Sequence, residues 1–415
     1  EISECLVGSE MCIRDRCQHL LGYLDGTGHG AAGLEKALDT VLSGTGENSS
    51  LVCAVTAQGT LRTGETARLL QADSGALGVQ LTISRPVQRA VEAVAASTMT
   101  SGCILVLDTA TAAVRASVSV PCYDPENLAD SLQAENSPFL NRALQSYAVG
   151  SVFKPVLAAA ALEAGLQPVF ECTGAVVVDG QIFRCAGGVP HGQVDLAAAL
   201  EKSCNGYFIR LGQQLGAESL LDAAKAFGFG QSLPLAEGFA AEAGQLPTPQ
   251  ELAQSGQLAN FSFGQGSLLA APMQVAALFN TLAADGVYRA PYVLQATLDE
   301  TTGQPVETLS HPRGRRVISA QNAALLRAML VQVVQQGTAQ DAAGLSGGAG
   351  GKTGTAQTGQ FTPEGTERCN LWFAGFWPAE KPRYTIVVLQ DGAVHTAYSG
   401  AAIFAQVCTA LEAAG

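Results

Sequence analysis

The chain has 415 residues, 47% of them apolar and 14% charged, with a net charge of −13. That apolar content supports a large buried core and argues against disorder. The acidic balance argues against a nucleic-acid partner, which needs a basic face. At roughly 100–200 residues per domain, the length suggests two or three domains.

Glu1–Arg16 (EISECLVGSEMCIRDR) reads as the conceptual translation of a sequencing-library adapter and is set aside as a scar. On that reading the natural start lies upstream, and an N-terminal membrane anchor with it. Apolar stretches such as Val156–Leu162 are far short of the roughly 18 residues of a spanning helix. Of eleven cysteines, Cys5 and Cys12 fall in the set-aside segment. The odd remainder does not read as a closed disulfide framework.

Cys17–Gly46 carries a glycine-rich run and then a predicted short helix over Leu34–Leu42. Leu51–Ala72 reads as strands and turns. Residues 17–74 are expected to be the remnant of a preceding domain, and 75–415 the main domain. There, Val79–Ile83 is a predicted strand, and Ser84 caps a helix with Val87, Val91 and Val94 on one face. Cys103–Leu107 and Val114–Val120 form a predicted hairpin across Asp108–Ala113. Ser151–Ala164 is a predicted helix closed by Gly165, and Asp195–Leu215 is largely helical around Ser203. Pro272–Ala284 and Ala320–Gln335 are further helices. Strands at Leu371–Phe376 and Tyr384–Asp391 precede a last helix, Ser399–Ala413. Strands at both ends with helices between predict an α+β domain, one sheet covered by helices.

Three short motifs carry chemistry. Ser151-Val152-Phe153-Lys154 is the only SxxK in a chain with six lysines. Residues three apart share a helix face, so Lys154 can serve the Ser151 hydroxyl as a base if burial or a neighbouring cation lowers its pKa. The helix start offers N–H groups to an oxyanion. Ser203-Cys204-Asn205 supplies a relay hydroxyl and an amide that both donates and accepts. Lys352-Thr353-Gly354-Thr355 would present a cation and hydroxyls to a carboxylate, with Gly354 allowing a ligand or another backbone to approach. Taken singly, they also read as ordinary structure: a helix start with a solvated lysine, a local Ser or Asn cap and a loop-to-strand junction. Together and in this order they form a known signature of penicillin-binding proteins and class A β-lactamases.

Residues from about Gly75 to Ala410 resemble the penicillin-binding transpeptidase family. Supporting phrases are Asn141-Arg142-Ala143, His191-Gly192, Phe263-Gly264-Gln265-Gly266, Pro272-Met273-Gln274 and Trp372-Phe373-Ala374-Gly375-Phe376. His19-Leu20-Leu21-Gly22-Tyr23 resembles the end of the family's N-terminal pedestal (dimerisation) domain, which marks class B, elongation or sporulation type. The resemblance implies a serine β-lactamase/D,D-transpeptidase-like antiparallel sheet flanked by helices, with a helical subdomain. It implies that Ser151 attacks the D-Ala–D-Ala carbonyl of a peptidoglycan stem peptide, with Lys154 as base. Ser203 relays a proton to the leaving amine and Asn205 orients the donor. Lys352 tunes the site, and Thr353, Gly354 and Thr355 hold the terminal carboxylate. An acceptor amine then resolves the acyl-enzyme, no cofactor is required, and β-lactams leave Ser151 acylated. The implied setting is the outer face of the bacterial cytoplasmic membrane, beside a membrane-embedded glycosyltransferase.

Cys172, Cys185, His191 and Cys204 lie in one short segment, and three thiols with one imidazole make a complete structural zinc shell. A Cys172–Cys185 disulfide and a redox switch at Cys204 are the alternatives. The remaining functional alternatives are a D,D-carboxypeptidase, a β-lactamase and a non-turnover β-lactam sensor. Against a β-lactamase, Glu218, Glu237 and Glu242 follow the SxN motif but none has an ExxxN context.

Overall fold

The computed structural model describes residues 6–7, 16–44, 50–52, 68–70, 75–125, 127–134, 136–300, 302–311 and 313–414. Most of the adapter-like segment, and most of the Leu51–Ala72 stretch predicted as strands and turns, lies outside the described residues. The helix predicted over Leu34–Leu42 is two short helices, Gly33–Ala37 and Asp39–Ser43. The break falls where the Asp39 carboxylate accepts the Gly30 N–H at 2.8 Å. Leu20, Leu21 and Leu34 are buried in the same hydrophobic cluster as the main sheet.

Strand β1 (Leu77–Leu81) starts two residues before its predicted position, because Ser84 already sits at the N-cap of α1 (Arg85–Thr98). Pro86 stands in the first turn of α1, where no intrahelical N–H bond is lost. Val87, Val91 and Val94 are buried along one stripe. Strands β2 (Gly102–Asp108) and β3 (Val114–Val120) form the expected antiparallel hairpin, in register from Gly102 opposite Val120 to Val106 opposite Ala116, with a register shift before Leu107 opposite Val114.

A helical region follows. It contains α2 (Lys154–Glu163), a small hairpin of β4 (Ala175–Val178) and β5 (Gln181–Arg184), α3 (Leu196–Glu201), α4 (Asn205–Leu215) and α5 (Ser255–Ser262). Every residue of α6 (Pro272–Ala283) is buried, as expected of a helix that is apolar all round. Strand β6 (Leu294–Asp299) pairs with β1 outside the main sheet. After α7 (Ala320–Gln335) come β7 (Gly350–Phe361), β8 (Glu367–Trp377), β9 (Tyr384–Ala393) and α8 (Gly400–Ala413).

The main sheet has the order β7-β8-β9-β2-β3, with every neighbour antiparallel. Successive side chains on a strand point to opposite faces. Phe373 stacks edge-on with Phe404 of α8, so α8 covers one face. Thr385 lies opposite Phe376, three residues from Phe373, and donates to Asn280 of α6 at 3.0 Å. Helix α6 therefore covers the other face, between the sheet and the helical region. This is the expected α+β architecture.

Candidate active site

Gly150 sets the nucleophile turn. Its φ of +65° is in the left-handed region, and a Cβ there would lie 2.6 Å from the Thr355 carbonyl oxygen. Only glycine allows both. The Gly150 N–H donates to Gly264 O at 2.8 Å, which ties the nucleophile turn to the Phe263–Gly266 phrase.

Ser151 differs from its expected setting in one respect. It sits in a 3-10 turn, Gly150–Phe153, that runs into α2, not in the α-helix itself. In a 3-10 turn, side chains three apart eclipse, so Ser151 and Lys154 still share a face. Lys154 is fully buried. Its Nζ donates to Asn205 Oδ1 and to Ser203 O at 2.7 Å each, and to Ser203 Oγ at 3.1 Å. Burial lowers its pKa to about 7, with the Cys204 and Cys185 thiolates pulling the other way.

The helix expected over Asp195–Leu215 is interrupted. Helix α3 ends at Glu201 and α4 starts at Asn205. Between them Ser203 has φ +53°, a conformation that non-glycine residues rarely adopt and that clusters at functional sites. The interruption turns both oxygens of Ser203 onto Lys154. The Asn205 Nδ2 donates to Arg184 O at 2.9 Å, so the SxN motif also fastens the β4–β5 hairpin.

The third motif lies on β7, at the sheet edge. Lys352 is fully buried. Burial first, and then the nearby Lys154 charge, push it well below the ordinary lysine range. Its Nζ donates to Thr353 O at 3.2 Å. The close approach expected at Gly354 is made by the nucleophile turn: a Cβ there would lie 3.0 Å from Val152 Cγ1 and 3.1 Å from Val152 N. Thr355 is exposed beside Ser151 in a groove of about 500 Å³, which Asn205 also lines. The structure thus brings all three motifs to one groove.

The family model "Penicillin binding protein transpeptidase domain" matches residues 102–409. The chain belongs to the penicillin-binding protein transpeptidase family. It is 32% identical to the peptidoglycan D,D-transpeptidase PbpA of Mycolicibacterium smegmatis, over 93% of this chain and 80% of that one. It is 29% identical to the stage V sporulation protein D of Bacillus subtilis, over 94% of this chain and 60% of the relative's length. Among solved structures it superposes on penicillin-binding protein A of Mycobacterium tuberculosis, a ceftriaxone acyl-enzyme complex, with TM-score 0.78 and 25% identity, covering 96% and 90% of the two chains.

Beside the groove of this penicillin-binding protein, the Cys172, Cys185 and Cys204 sulfurs and a His191 ring nitrogen all lie within 4.8 Å of one another. Cys172 Sγ is 3.7 Å from Cys185 Sγ and 3.4 Å from His191 Nδ1, and Cys185 Sγ is 3.8 Å from Cys204 Sγ. A disulfide needs about 2.05 Å, and these cysteines are free thiols. A tetrahedron with metal–sulfur bonds of about 2.3 Å and metal–nitrogen bonds of about 2.05 Å has S···S edges near ~3.8 Å and S···N edges near ~3.6 Å. The donor set and these three separations fit zinc. The Cys204 thiol donates to Cys185, which holds Cys185 low, to about 5, and Cys204 high. The Gly206 N–H, in the first turn of α4, also favours the Cys185 thiolate.

Two groups in the penicillin-binding protein site were not legible in the sequence. Thr338, after α7, lies with its Oγ1 2.7 Å from Thr353 Oγ1; an exposed threonine after a helix end carries no distinguishing pattern. The β4–β5 hairpin supplies Gln181 and Arg184 to the groove, and only the neighbouring Cys185 hints at its position.

Proposed function

We propose that this penicillin-binding protein is a peptidoglycan D,D-transpeptidase working through a Ser151 acyl-enzyme. The observation that carries the reading is Lys154. It is a buried lysine with a pKa near 7, held by Ser203 and Asn205 one turn from the nucleophile. Neutral Lys154 takes the Ser151 proton as Oγ attacks the penultimate D-Ala carbonyl. The C–N bond to the terminal D-Ala breaks, and Ser203 delivers a proton to the leaving amine. An acceptor amine from a second stem peptide attacks the ester, forms the cross-link and returns Ser151. Ser151 and Thr355 N–H groups hold the oxyanion in both steps. Thr353 and Thr355 hold the terminal carboxylate, and Lys352 tunes the field.

No carboxylate lines the groove among the described residues. Glu218, Glu237 and Glu242 are exposed elsewhere. That supports slow hydrolysis of the acyl-enzyme and weighs against a β-lactamase. The reading places the enzyme on the outer face of the cytoplasmic membrane, with an anchor and a membrane-embedded glycosyltransferase partner; among the described residues no helix is long and apolar enough to cross a membrane. It also gives Cys172, Cys185, His191 and Cys204 a zinc ion, which would neutralise thiolate charge and crosslink the segment.

The test is a fluorescent penicillin followed by intact mass. A stable adduct that disappears in Ser151→Ala supports the reading, and rapid turnover of a chromogenic cephalosporin sinks it. Cross-linked dimers formed from stem peptides separate a transpeptidase from a carboxypeptidase, which releases D-Ala to water alone.

A further inference from the structure

The groove in front of Ser151 has an uneven chemistry. Gln181 comes from β5, Asn260 from α5, Gln265 from the turn after it and Gln357 from β7. All four end in carboxamides. Lys154 and Lys352 are fully buried beneath the surface, and both are pushed toward the neutral form. Arg184 is the one formally charged side chain that lines the groove among the described residues. Its guanidinium makes no ion pair or hydrogen bond with them. Its structural tie runs through the backbone, where its carbonyl accepts from Asn205 Nδ2 at 2.9 Å.

Stem peptides are polyanions. Besides the terminal carboxylate, they carry side carboxyl groups as free acids or as amides. Carboxamide walls pair well with peptide and amide groups, but a free carboxylate that loses water against them gains no counter-charge. Only at Arg184 does a carboxylate meet a cation, and a guanidinium binds one bidentately. The terminal carboxylate is assigned to Thr353 and Thr355, which leaves Arg184 for a second one.

We propose that Arg184 is a specificity residue that reads one free side carboxylate on the stem peptide, while the carboxamide walls favour amides elsewhere. This rests on the transpeptidase reading of Ser151. The backbone of the hairpin at Arg184 is fastened to Asn205, which keeps the exposed side chain at the groove.

The experiment uses the full chain and two donor peptides ending in D-Ala–D-lactate. They are identical except that one side carboxyl is free in the first and amidated in the second. Release of D-lactate gives kcat and KM for each. The wild type is expected to prefer the free acid. Arg184→Gln should reduce that preference about tenfold, chiefly through KM, the scale of one charge-assisted hydrogen bond. Arg184→Lys should keep part of it. An equal loss with both donors, or no change with either, overturns the proposal. A penicillin adduct at wild-type Ser151 separates the two levels: with the adduct but no charge preference, only the Arg184 inference fails. With no adduct, the underlying reading fails and takes this inference with it.

Discussion

Lys154 Nζ lies 2.7 Å from Asn205 Oδ1, so the base of one motif is gripped by the amide of another, fifty-one residues along the chain. The amide oxygen and the Ser203 carbonyl both accept from Lys154, which satisfies a buried amine in either protonation state. What decides the state is burial, and that has a direct kinetic consequence.

A general base works only when deprotonated. With the Lys154 pKa lowered to about 7, penicillin acylation should rise with pH through about 7 and level off above it. Below that limb the rate should fall about tenfold per pH unit. Second-order acylation constants from pH 5.5 to 9 check this. A limb near the ordinary lysine value would remove Lys154 from the role. Lys154→Arg, which cannot deprotonate, should lose the limb and most of the rate.

Gly354→Ala pushes a methyl group against Val152, at 3.0 Å from its Cγ1 and 3.1 Å from its backbone nitrogen. Either β7 or the nucleophile turn must move. Overpacking of this kind costs about 1–3 kcal/mol, so a modest fall in Tm is expected. Acylation should slow by about tenfold or more, because the displaced groups adjoin Ser151. A variant that keeps the wild-type rate would show that the approach is mere packing.

Thr338→Val removes the hydroxyl 2.7 Å from Thr353 Oγ1. A neutral hydrogen bond of about 1 kcal/mol predicts a loss near fivefold in acylation efficiency, carried by KM. Thr338→Ser should restore it. If the serine and valine variants behave alike, the hydroxyl has no part in placing Thr353.

Purified protein should contain one zinc per chain, released in Cys172→Ser or by a strong chelator, with a fall in Tm. Cys204 is the N-cap of α4 and lies between Ser203 and Asn205, so metal loss should also slow acylation. Metal analysis showing none, with a disulfide between Cys172 and Cys185 by mass, rejects zinc.

The sequence carried the three motifs because each is local: a few residues set the chemistry and the turn at once. The same holds for the β2–β3 hairpin and for α7, whose periodicity sits within one segment. The interruption at Ser203 was only half carried: Ser203, Cys204, Asn205 and Gly206 are weak helix formers, but the helical residues on either side masked the break, and the contact of both Ser203 oxygens with Lys154 is made across the core. Nor did the sequence carry Thr338 or Arg184, which matter only because distant strands bring them to the groove. The 3-10 turn at Ser151 was hidden for a similar reason, since contact with Gly264 and Thr355, not local propensity, shapes it.

The main sheet joins distant parts of the chain. Thr109, just past β2, meets Thr385 of β9 across 276 residues, and β7 with Lys352 is an edge strand of that five-stranded sheet. During synthesis, at about 5–20 residues per second, the nucleophile and its base emerge long before the strand that completes the carboxylate cradle. Non-local pairing of this kind forms slowly. A partly made chain thus carries Ser151 without β7, and the chemistry stays off until the whole domain has closed.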